Sequence, residues 1–394
     1  MKKEIITIVG GGSSAHVLIP FLTSPSRTIN LLTRQPEKWN HNIETELQNN
    51  EGDVLNVYHG DIDTISDKPE DVITNADIII LCMPVYQYYN ALNRIAPHIK
   101  KNKALLGTIY GQGGFNWMVE SIKNNFNLPN LNYFALGLIP WISRTNLYGA
   151  KGITYGSKEL NCIAFNDSTE FAKRKDFLND LCYNFFGKGK FVESENFISL
   201  TLSVDNQIIH PSRMYGLFLT DGGVWDSEKD VPYFYKDYNK ISADLLEGLD
   251  SDYTLIRERI KKIFRDQNFD YMLDYLSLER LSYGSENTNI ISSFVNSKTL
   301  GAIKTPVQKE VNETYSLNKN HRFFFDDIYN GIIIAKWFSE ELNIKVEMID
   351  KILRWAEVVL DEKFLTEDGK INYENKKLGV PTYYGINKLE NAIN

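Results

Sequence analysis

Three consecutive glycines between a β-branched run and an amphipathic stretch carry the first chemical signal, in "IVGGGSSAH", residues 8–16. The spacing of Gly10, Gly12 and Ala15 fits a dinucleotide-binding turn. Gly10 permits the tight strand-to-helix turn, Gly12 lets the backbone approach a pyrophosphate, and Ala15 lets the helix pack on the strand. We expect Ser13 to join the binding residues at the helix N-terminus, where an anion is stabilised. His16, one turn further, is predicted to be a packing or capping residue.

The next strand indicates which dinucleotide is bound. NAD sites place an acidic residue about 20 residues after the glycines, whereas an arginine there accommodates the 2′-phosphate of NADP. This chain has "LLTRQPEKW", with Thr33 and Arg34 at the strand end and no acid before Glu37. The sequence therefore favours NADP(H), with NAD(H) as the alternative. Pro84, which closes the strand in "ILCMP", is included in the predicted cofactor site.

The elements around this loop follow two different patterns. Short apolar runs alternate with amphipathic stretches as far as about residue 145, and five runs are predicted to be strands: "EIITIVG", "TINLLTR", "ADIIILCMP", "KALLGTIYG" and "LNYFALGLIPW". "GITYGSKELNCIAFN" is expected to extend the same sheet. Beyond it, apolar residues recur at helical spacing. We predict a Rossmann-type doubly wound α/β domain over residues 1–188 and an all-α domain over residues 189–394.

The composition of the chain argues against several classes of binding partner. The net charge of −8 and pI near 5.4 argue against nucleic acid, which requires a clustered basic face. No apolar run approaches the ~18 residues that span a bilayer. Three widely separated cysteines and six scattered histidines give no ligand spacing, so we expect no metal and a reducing compartment. The expected localisation is the cytoplasm, because no export signal is readable.

A histidine in the second half, in "VDNQIIHPSRMYG", has the side chain best suited to proton transfer near neutral pH. Considered alone, His210 is better interpreted as a satisfied interior histidine before Pro211, which is expected to end the helix. Asn206 lies four residues earlier, so on a helix the two side chains share a face. "NHRFFFDDIYNGI" adds a candidate carboxylate binder, Arg322, and an acid pair, Asp326 and Asp327.

These two segments, together with "GGGSSAH", "YGQGGFNW", "IPWISRTNLYGAKGITYGSKE" and "VPTYYGIN", closely resemble the octopine/opine dehydrogenase family from end to end. The resemblance implies an oxidoreductase that acts on a CH–NH bond. Such an enzyme joins an amino acid to an α-keto acid, by default pyruvate, and reduces the imine with a nicotinamide hydride. The reversible product is a secondary-amine dicarboxylate. A homodimer is a further expectation.

By the same resemblance, the catalytic set is Asn206, His210, Arg322 and Asp327. Family members often carry a proline where this chain has Tyr329, but the acid at Asp327 is kept. We do not expect the aromatic run "VPYFY" to contact the site.

Two other functions remain open at this stage. A hydroxy-acid or glycerol-phosphate dehydrogenase would share the architecture, but such enzymes usually rely on a lysine, and the lysines of the helical domain follow surface patterns. A nucleotide-sensing protein without turnover would not need the histidine, aspartate and arginine.

Overall fold

The computed structural model describes residues 2–49, 51–100, 104–297, 300–301 and 303–393. The backbone contacts divide the chain into two compact units between Leu200 and Thr201. This division lies later in the chain than the boundary inferred at 188/189, which stays a prediction. Each unit is described separately below.

The first unit contains twelve labelled strands among the described residues. They are β1 Glu4–Val9, β2 Arg27–Leu32, β3 Asn42–Gln48, β4 Val54–Asp61, β5 Thr64–Ser66, β6 Ile78–Leu81, β7 Leu105–Thr108, β8 Asn132–Leu136, β9 Trp141–Leu147, β10 Lys151–Ser157, β11 Leu160–Phe165 and β12 Lys190–Glu193. The helices are α1 Ser13–Leu22, α2 Pro69–Val72, α3 Tyr88–Ile95, α4 Phe115–Phe126, α5 Thr169–Lys173, α6 Lys175–Leu181 and α7 Tyr183–Phe186, with 3₁₀ turns at Pro36–Lys38, Val85–Gln87 and Ala96–His98.

The main sheet has eight strands in the order β12-β11-β8-β7-β6-β1-β2-β5. Its segment β5-β2-β1-β6-β7-β8 is parallel and follows the 3-2-1-4-5-6 order of dinucleotide-binding folds. Buried aliphatic residues fill the central strands, as expected for a sheet covered on both faces. The strand order reverses between β1 and β6, where ligands bind at the carboxyl edge. The predicted α/β fold is confirmed.

Part of the predicted strand pattern is wrong in detail. "LNYFALGLIPW" is not one strand: it contributes β8 to the main sheet and the start of β9 to a second sheet, with order β4-β3-β10-β9. β10 also belongs to that second sheet, and only β11 extends the main one, antiparallel to β8. β3 and β4 were not predicted, because β3 is mostly polar and polar residues interrupt the apolar residues of both strands. Lys103, which opens "KALLGTIYG", lies outside the described residues.

The second unit is helical, as predicted, and adds a small three-stranded sheet. Its helices are α8 Phe197–Leu202, which begins just before the division, then α9 Asn206–Asp221, α10 Lys240–Ile263, α11 Tyr275–Tyr283, α12 Ile290–Val295, α13 Arg322–Phe325, α14 Ile333–Glu341, α15 Glu347–Leu360 and α16 Leu389–Ile393. A π-helical turn spans Ile328–Ile332 and a 3₁₀ turn spans Pro381–Tyr384. The strands are β13 Val224–Trp225, β14 Val307–Lys309 and β15 Tyr315–Leu317.

Helix α9, which carries Asn206 and His210, packs against α10. The helices approach closely at Gly216, where a Cβ would lie 2.2 Å from the Ser242 hydroxyl oxygen. Asn239 caps α10 by accepting the Ser242 N–H at 2.9 Å. Pro211 lies inside α9, which continues to Asp221, so the expectation that Pro211 ends the helix is wrong.

No helix in the described ranges is both long and apolar enough to cross a membrane. Those same residues contain no cluster of potential metal ligands. Cys82, Cys162 and Cys182 are buried free thiols. The cytoplasmic localisation stays a prediction.

Candidate active site

A cleft of about 910 Å³ opens at the carboxyl edge of the parallel strands in the first unit. Of the seven residues predicted to bind cofactor, five line it: Gly10, Gly12, Thr33, Arg34 and Pro84. The glycine loop packs tightly beneath the cleft. Gly10 has a φ of +110°, and a Cβ there would lie 2.4 Å from the Cys82 carbonyl oxygen.

The conformation of this loop fits a dinucleotide pyrophosphate. A Cβ on Gly12 would meet nothing nearer than 3.7 Å, so the backbone beside the α1 N-terminus is open on its ligand side. No side chain caps the first turn of α1. Its N–H groups and the helix dipole therefore remain directed at an anion site.

Ser13 and Ala15 do not line the cleft. The Ser13 hydroxyl lies 2.9 Å from the Thr145 hydroxyl of β9, and its place in the cofactor site stays a prediction. Ala15 is fully buried, as the packing position of the motif requires.

His16 is a structural residue behind the glycine loop. Its Nδ1–H donates to the Gly12 carbonyl at 3.0 Å, while Nε2 accepts the Gly149 N–H at 2.9 Å. Burial lowers the pKa of His16, which keeps the ring neutral for this pair of bonds. The ring also packs on Trp39 and Tyr148, with centroid distances of 4.5 and 5.8 Å. His16 thus ties the glycine loop to the β9–β10 turn.

The charge of the cleft bears on the choice of dinucleotide. Among the described residues that line it, two are cationic, Arg34 and Arg94, and none is acidic. Thr33 is buried at the end of β2, whereas Arg34 is exposed. An adenosine ribose bound here would therefore meet no carboxylate from the lining.

In the second unit, the structure brings two predicted catalytic residues together. The His210 Nδ1 lies 2.7 Å from the Asp327 Oδ2, although 117 residues separate them in sequence. Both side chains are about 1% exposed. The Phe323 ring stacks on the imidazole, with a centroid distance of 3.6 Å and an interplanar angle of 19°. The aromatic stack and the carboxylate together fix the imidazole plane.

Burial dominates the electrostatics of this pair. It lowers the pKa of His210 well below the ordinary value, and the positive charge of Arg322 lowers it further. Burial raises the pKa of Asp327 well above its usual range, while Arg322 acts in the opposite direction. The imidazole is therefore neutral near neutral pH, with Nε2 able to accept a proton.

Tyr235 was not expected to contact the site, and that expectation is wrong. Its hydroxyl lies 3.2 Å from the His210 Nε2, the nitrogen opposite the Asp327 contact. The loop that carries Tyr235 is fixed on α9, because the Arg213 Nη2 donates to the Tyr233 carbonyl at 3.1 Å. Twenty-five residues and a loop separate Tyr235 from His210, so no periodic spacing links them.

A distorted helical segment positions Asp327. The residue follows α13 and accepts the Ile332 N–H at 2.8 Å, an i→i+5 bond that opens the π-helical turn. Asn330 within it has a non-helical φ of −124°. Gly331 allows α9 to approach, because a Cβ there would lie 2.9 Å from the Gln207 side chain. The turn forms without the family's proline at Tyr329.

The remaining predicted residues flank the pair. Arg322 begins α13 and is exposed, with its guanidinium carbon 5.3 Å from the Phe323 ring centroid. Its charge acts on both His210 and Asp327. Asn206 begins α9, half-buried, one turn before His210. Arg322 is thus placed to attract an anion, and Asn206 to present an amide.

One lysine of this unit is not at the surface. Lys336 in α14 is buried, and its Nζ lies 2.7 Å from the Asp350 Oδ1 and 3.9 Å from the Glu340 Oε1. The expectation that all lysines here follow surface patterns is therefore wrong. Two carboxylates hold the charge, which fits a structural ion pair.

Comparison with known proteins gives matches over both units. The family described as "NAD/NADP octopine/nopaline dehydrogenase, alpha-helical domain" matches residues 193–360. The opine dehydrogenase of Haliotis discus hannai is 20% identical and aligns over 100% of this chain and 99% of its own. A structure of octopine dehydrogenase with NADH and L-arginine superposes with a TM-score of 0.83 at 19% identity. The match covers 98% of this chain and 97% of the octopine dehydrogenase chain. A structure of yersinopine dehydrogenase with NADP⁺ bound superposes with a TM-score of 0.65 at 14% sequence identity, and the match covers 91% of each chain.

The parallel α/β unit, its glycine loop and the matched helical unit define a class, the NAD- or NADP-dependent oxidoreductases with a separate helical domain. Within that class, the chain resembles the octopine/opine dehydrogenases over its full length, and residues 193–360 match the family's helical domain. The resemblance identified from the sequence is confirmed.

Proposed function

We propose that this protein is an opine dehydrogenase that condenses an amino acid with an α-keto acid and reduces the product, reversibly, to a secondary-amine dicarboxylate. The observation that carries the proposal is the buried contact between His210 and Asp327. The same helical unit matches the family's helical domain. In the reaction, the amine adds to the ketone, water leaves to give an imine, and a hydride reduces the imine carbon.

His210 acts as the general acid and base. Its neutral Nε2 accepts the proton released when the amine attacks the ketone, and returns it to the departing oxygen. Asp327 holds the Nδ1–H tautomer and stabilises the imidazolium that forms in between. The Tyr235 hydroxyl lies beside the same Nε2. It is positioned to relay the proton between Nε2 and the substrate, or to donate a hydrogen bond to Nε2 between turnovers.

Arg322 binds the carboxylate of the keto acid. A guanidinium donates two parallel hydrogen bonds to a carboxylate, which orients the planar keto acid as well as holding it. The exposure of Arg322 leaves it accessible to such a substrate. Asn206 orients the substrate or the water that leaves, through its amide.

The first unit holds the nicotinamide dinucleotide, which supplies the hydride when bound. Gly10, Gly12 and the α1 N-terminus cradle the pyrophosphate, and Pro84 lines the same cleft. NADP(H) is the favoured cofactor because Arg34 follows β2 and no acid lines the described cleft. NAD(H) is the alternative. Pyruvate as the default keto acid and a homodimer remain predictions, and the amino acid is open.

A grid assay tests the proposal. Oxidation of NADPH and NADH is followed against pairs of amino acids and keto acids, with ¹⁵N-labelled amino acid and cofactor carrying deuterium in the transferred position. We expect a product that contains both ¹⁵N and one deuterium. The control omits the amino acid.

The alternatives give different products. Cofactor oxidation with the keto acid alone, yielding a deuterated hydroxy acid, would show a hydroxy-acid dehydrogenase instead. Tight cofactor binding with no oxidation in any pair would favour a nucleotide-sensing protein. Either outcome would contradict the opine dehydrogenase assignment.

A further inference from the structure

We infer that Arg94 is a second specificity-determining residue, which together with Arg34 forms a two-arginine site for a ribose 2′-phosphate monoester. The inference rests on the proposed cofactor cleft and deepens it. Arg94 stands near the end of α3, sixty residues from Arg34 in the sequence, and no motif connects the two.

The pairing of β2 with β5 places the two arginines at the same edge. Leu32 is in register with Ser66, and the Thr33 N–H donates to the Ser66 carbonyl at 2.9 Å. Arg34 directly follows Thr33, and Asp67 directly follows Ser66. Because the strands are parallel, both residues lie just beyond the carboxyl edge of the sheet.

Arg94 is anchored at that point. Its Nη2 donates to the backbone carbonyl of Asp67. This bond holds the guanidinium beside the end of β5, next to the end of β2 that carries Arg34. Both arginines line the same cleft. The remaining N–H groups of the Arg94 guanidinium can therefore be directed at an anion held by Arg34.

Charge makes a phosphate monoester the fitting ligand. The group carries close to two negative charges near neutral pH, and a planar guanidinium matches its oxygens. Two cations with no acid among the described lining residues would repel each other without such an anion. A ribose 2′-hydroxyl has no charge to balance them. The cleft is thus built for the phosphorylated ribose.

The test is a binding titration that needs no turnover. Dissociation constants are measured for NADPH and NADH, and for the fragments 2′,5′-ADP and 5′-ADP, by fluorescence or calorimetry. We expect the wild type to bind the 2′-phosphorylated member of each pair about 10- to 100-fold more tightly. Arg94→Gln should weaken the binding of the 2′-phosphorylated ligands about 10-fold and change the affinity for NADH and 5′-ADP by less than twofold.

Matched variants separate the specific contact from general effects. Gln at position 94 keeps an N–H donor for the Asp67 carbonyl, so the thermal midpoint should stay near that of the wild type. Arg94→Lys, which keeps the charge, should lose less affinity than Arg94→Gln. Lys38→Gln removes an exposed cation near Arg34 that does not line the cleft, and should change neither constant. Arg34→Ala combined with Arg94→Gln should abolish the preference.

The outcomes distinguish this inference from the proposal beneath it. Equal wild-type affinity for NADPH and NADH would remove the 2′-phosphate site and leave the opine chemistry intact. A preference that Arg34→Ala reduces and Arg94→Gln leaves unchanged would overturn the role of Arg94 alone. Equal weakening of NADPH and NADH by Arg94→Gln would assign Arg94 to another part of the dinucleotide, and would also overturn the inference.

Discussion

The His210 Nδ1 lies 2.7 Å from the Asp327 Oδ2 in a pocket where both side chains are almost completely buried. Taking a carboxyl group and an imidazole out of water is costly, and removing either partner leaves the other as an uncompensated buried polar group. Helix α9 and the π-helical turn thus present a costly arrangement that is expected to be retained for chemistry rather than for stability.

His210→Gln is expected to lower turnover by at least ~100-fold, because a positioned general acid and base contributes about that much. The cofactor dissociation constant, measured by titration, should not change, because the cleft lies in the first unit. The exposed histidine His59 offers a control, His59→Gln, with wild-type turnover expected. Retention of full turnover by folded His210→Gln would remove the residue from the mechanism.

Asp327→Asn tests the orienting role. The amide can donate to Nδ1 and favour the Nε2–H tautomer, which no longer accepts a proton, so we expect a loss in kcat of at least ~10-fold. Asp326→Asn is the matched change, because Asp326 is the neighbouring buried carboxyl group, whereas the 2.7 Å contact with the His210 Nδ1 is made by Asp327. Steady-state kinetics of both variants show which of the two aspartates orients His210. A silent Asp327→Asn beside a damaged Asp326→Asn would reverse the assignment.

These two residues also show what sequence patterns can predict. The Rossmann-type sheet follows from apolar strands and spaced glycines, which are local signals. The contact between His210 and Asp327 is long-range, and only the family resemblance suggested it. Tyr235 and Arg94 were missed because hydrogen bonds to backbone carbonyls set their positions. The Tyr233 carbonyl accepts from Arg213 and fixes the loop of Tyr235, and the Asp67 carbonyl accepts from Arg94 itself. Such anchors leave no trace in residue type or period.

Tyr235→Phe isolates the hydroxyl at Nε2. Phenylalanine preserves the ring packing on Phe294, at 5.5 Å between centroids, but removes a donor to the neutral imidazole. A hydrogen bond to the neutral form lowers the pKa, so its loss should raise the pKa of His210. We expect kcat to fall about 10-fold, with the acidic limb of its pH profile moving to higher pH and the KM little changed.

The control for this change is Tyr238→Phe in the same loop. Tyr238 packs on Phe294 at 4.3 Å and shares a hydrogen bond with Ser212, not with His210. Removal of its buried hydroxyl should lower the free energy of unfolding by about 1 kcal/mol without moving the pH limb. An unchanged limb in Tyr235→Phe would show that the hydroxyl serves packing only.

The pH dependence of opine oxidation reports on Arg322. In this direction, neutral His210 accepts a proton from the water that attacks the imine. Burial and the charge of Arg322 hold the pKa of His210 well below its usual value near 6.5. Activity should therefore persist as the pH falls below 6.5 and decline only when it passes the lowered pKa. Arg322→Gln removes a cation that disfavours protonation of the pair, so the acidic limb of kcat should move to higher pH.

The same variant should raise the KM for the keto acid, because the carboxylate loses its guanidinium partner. Arg322→Lys keeps the charge and should retain the low acidic limb while losing part of the affinity gained from two parallel bonds. Arg265→Gln, an exposed arginine of the second unit, is the charge control and should move neither quantity. A raised KM with an unmoved limb would confine Arg322 to substrate binding. An unmoved limb and an unmoved KM together would exclude Arg322 from the site.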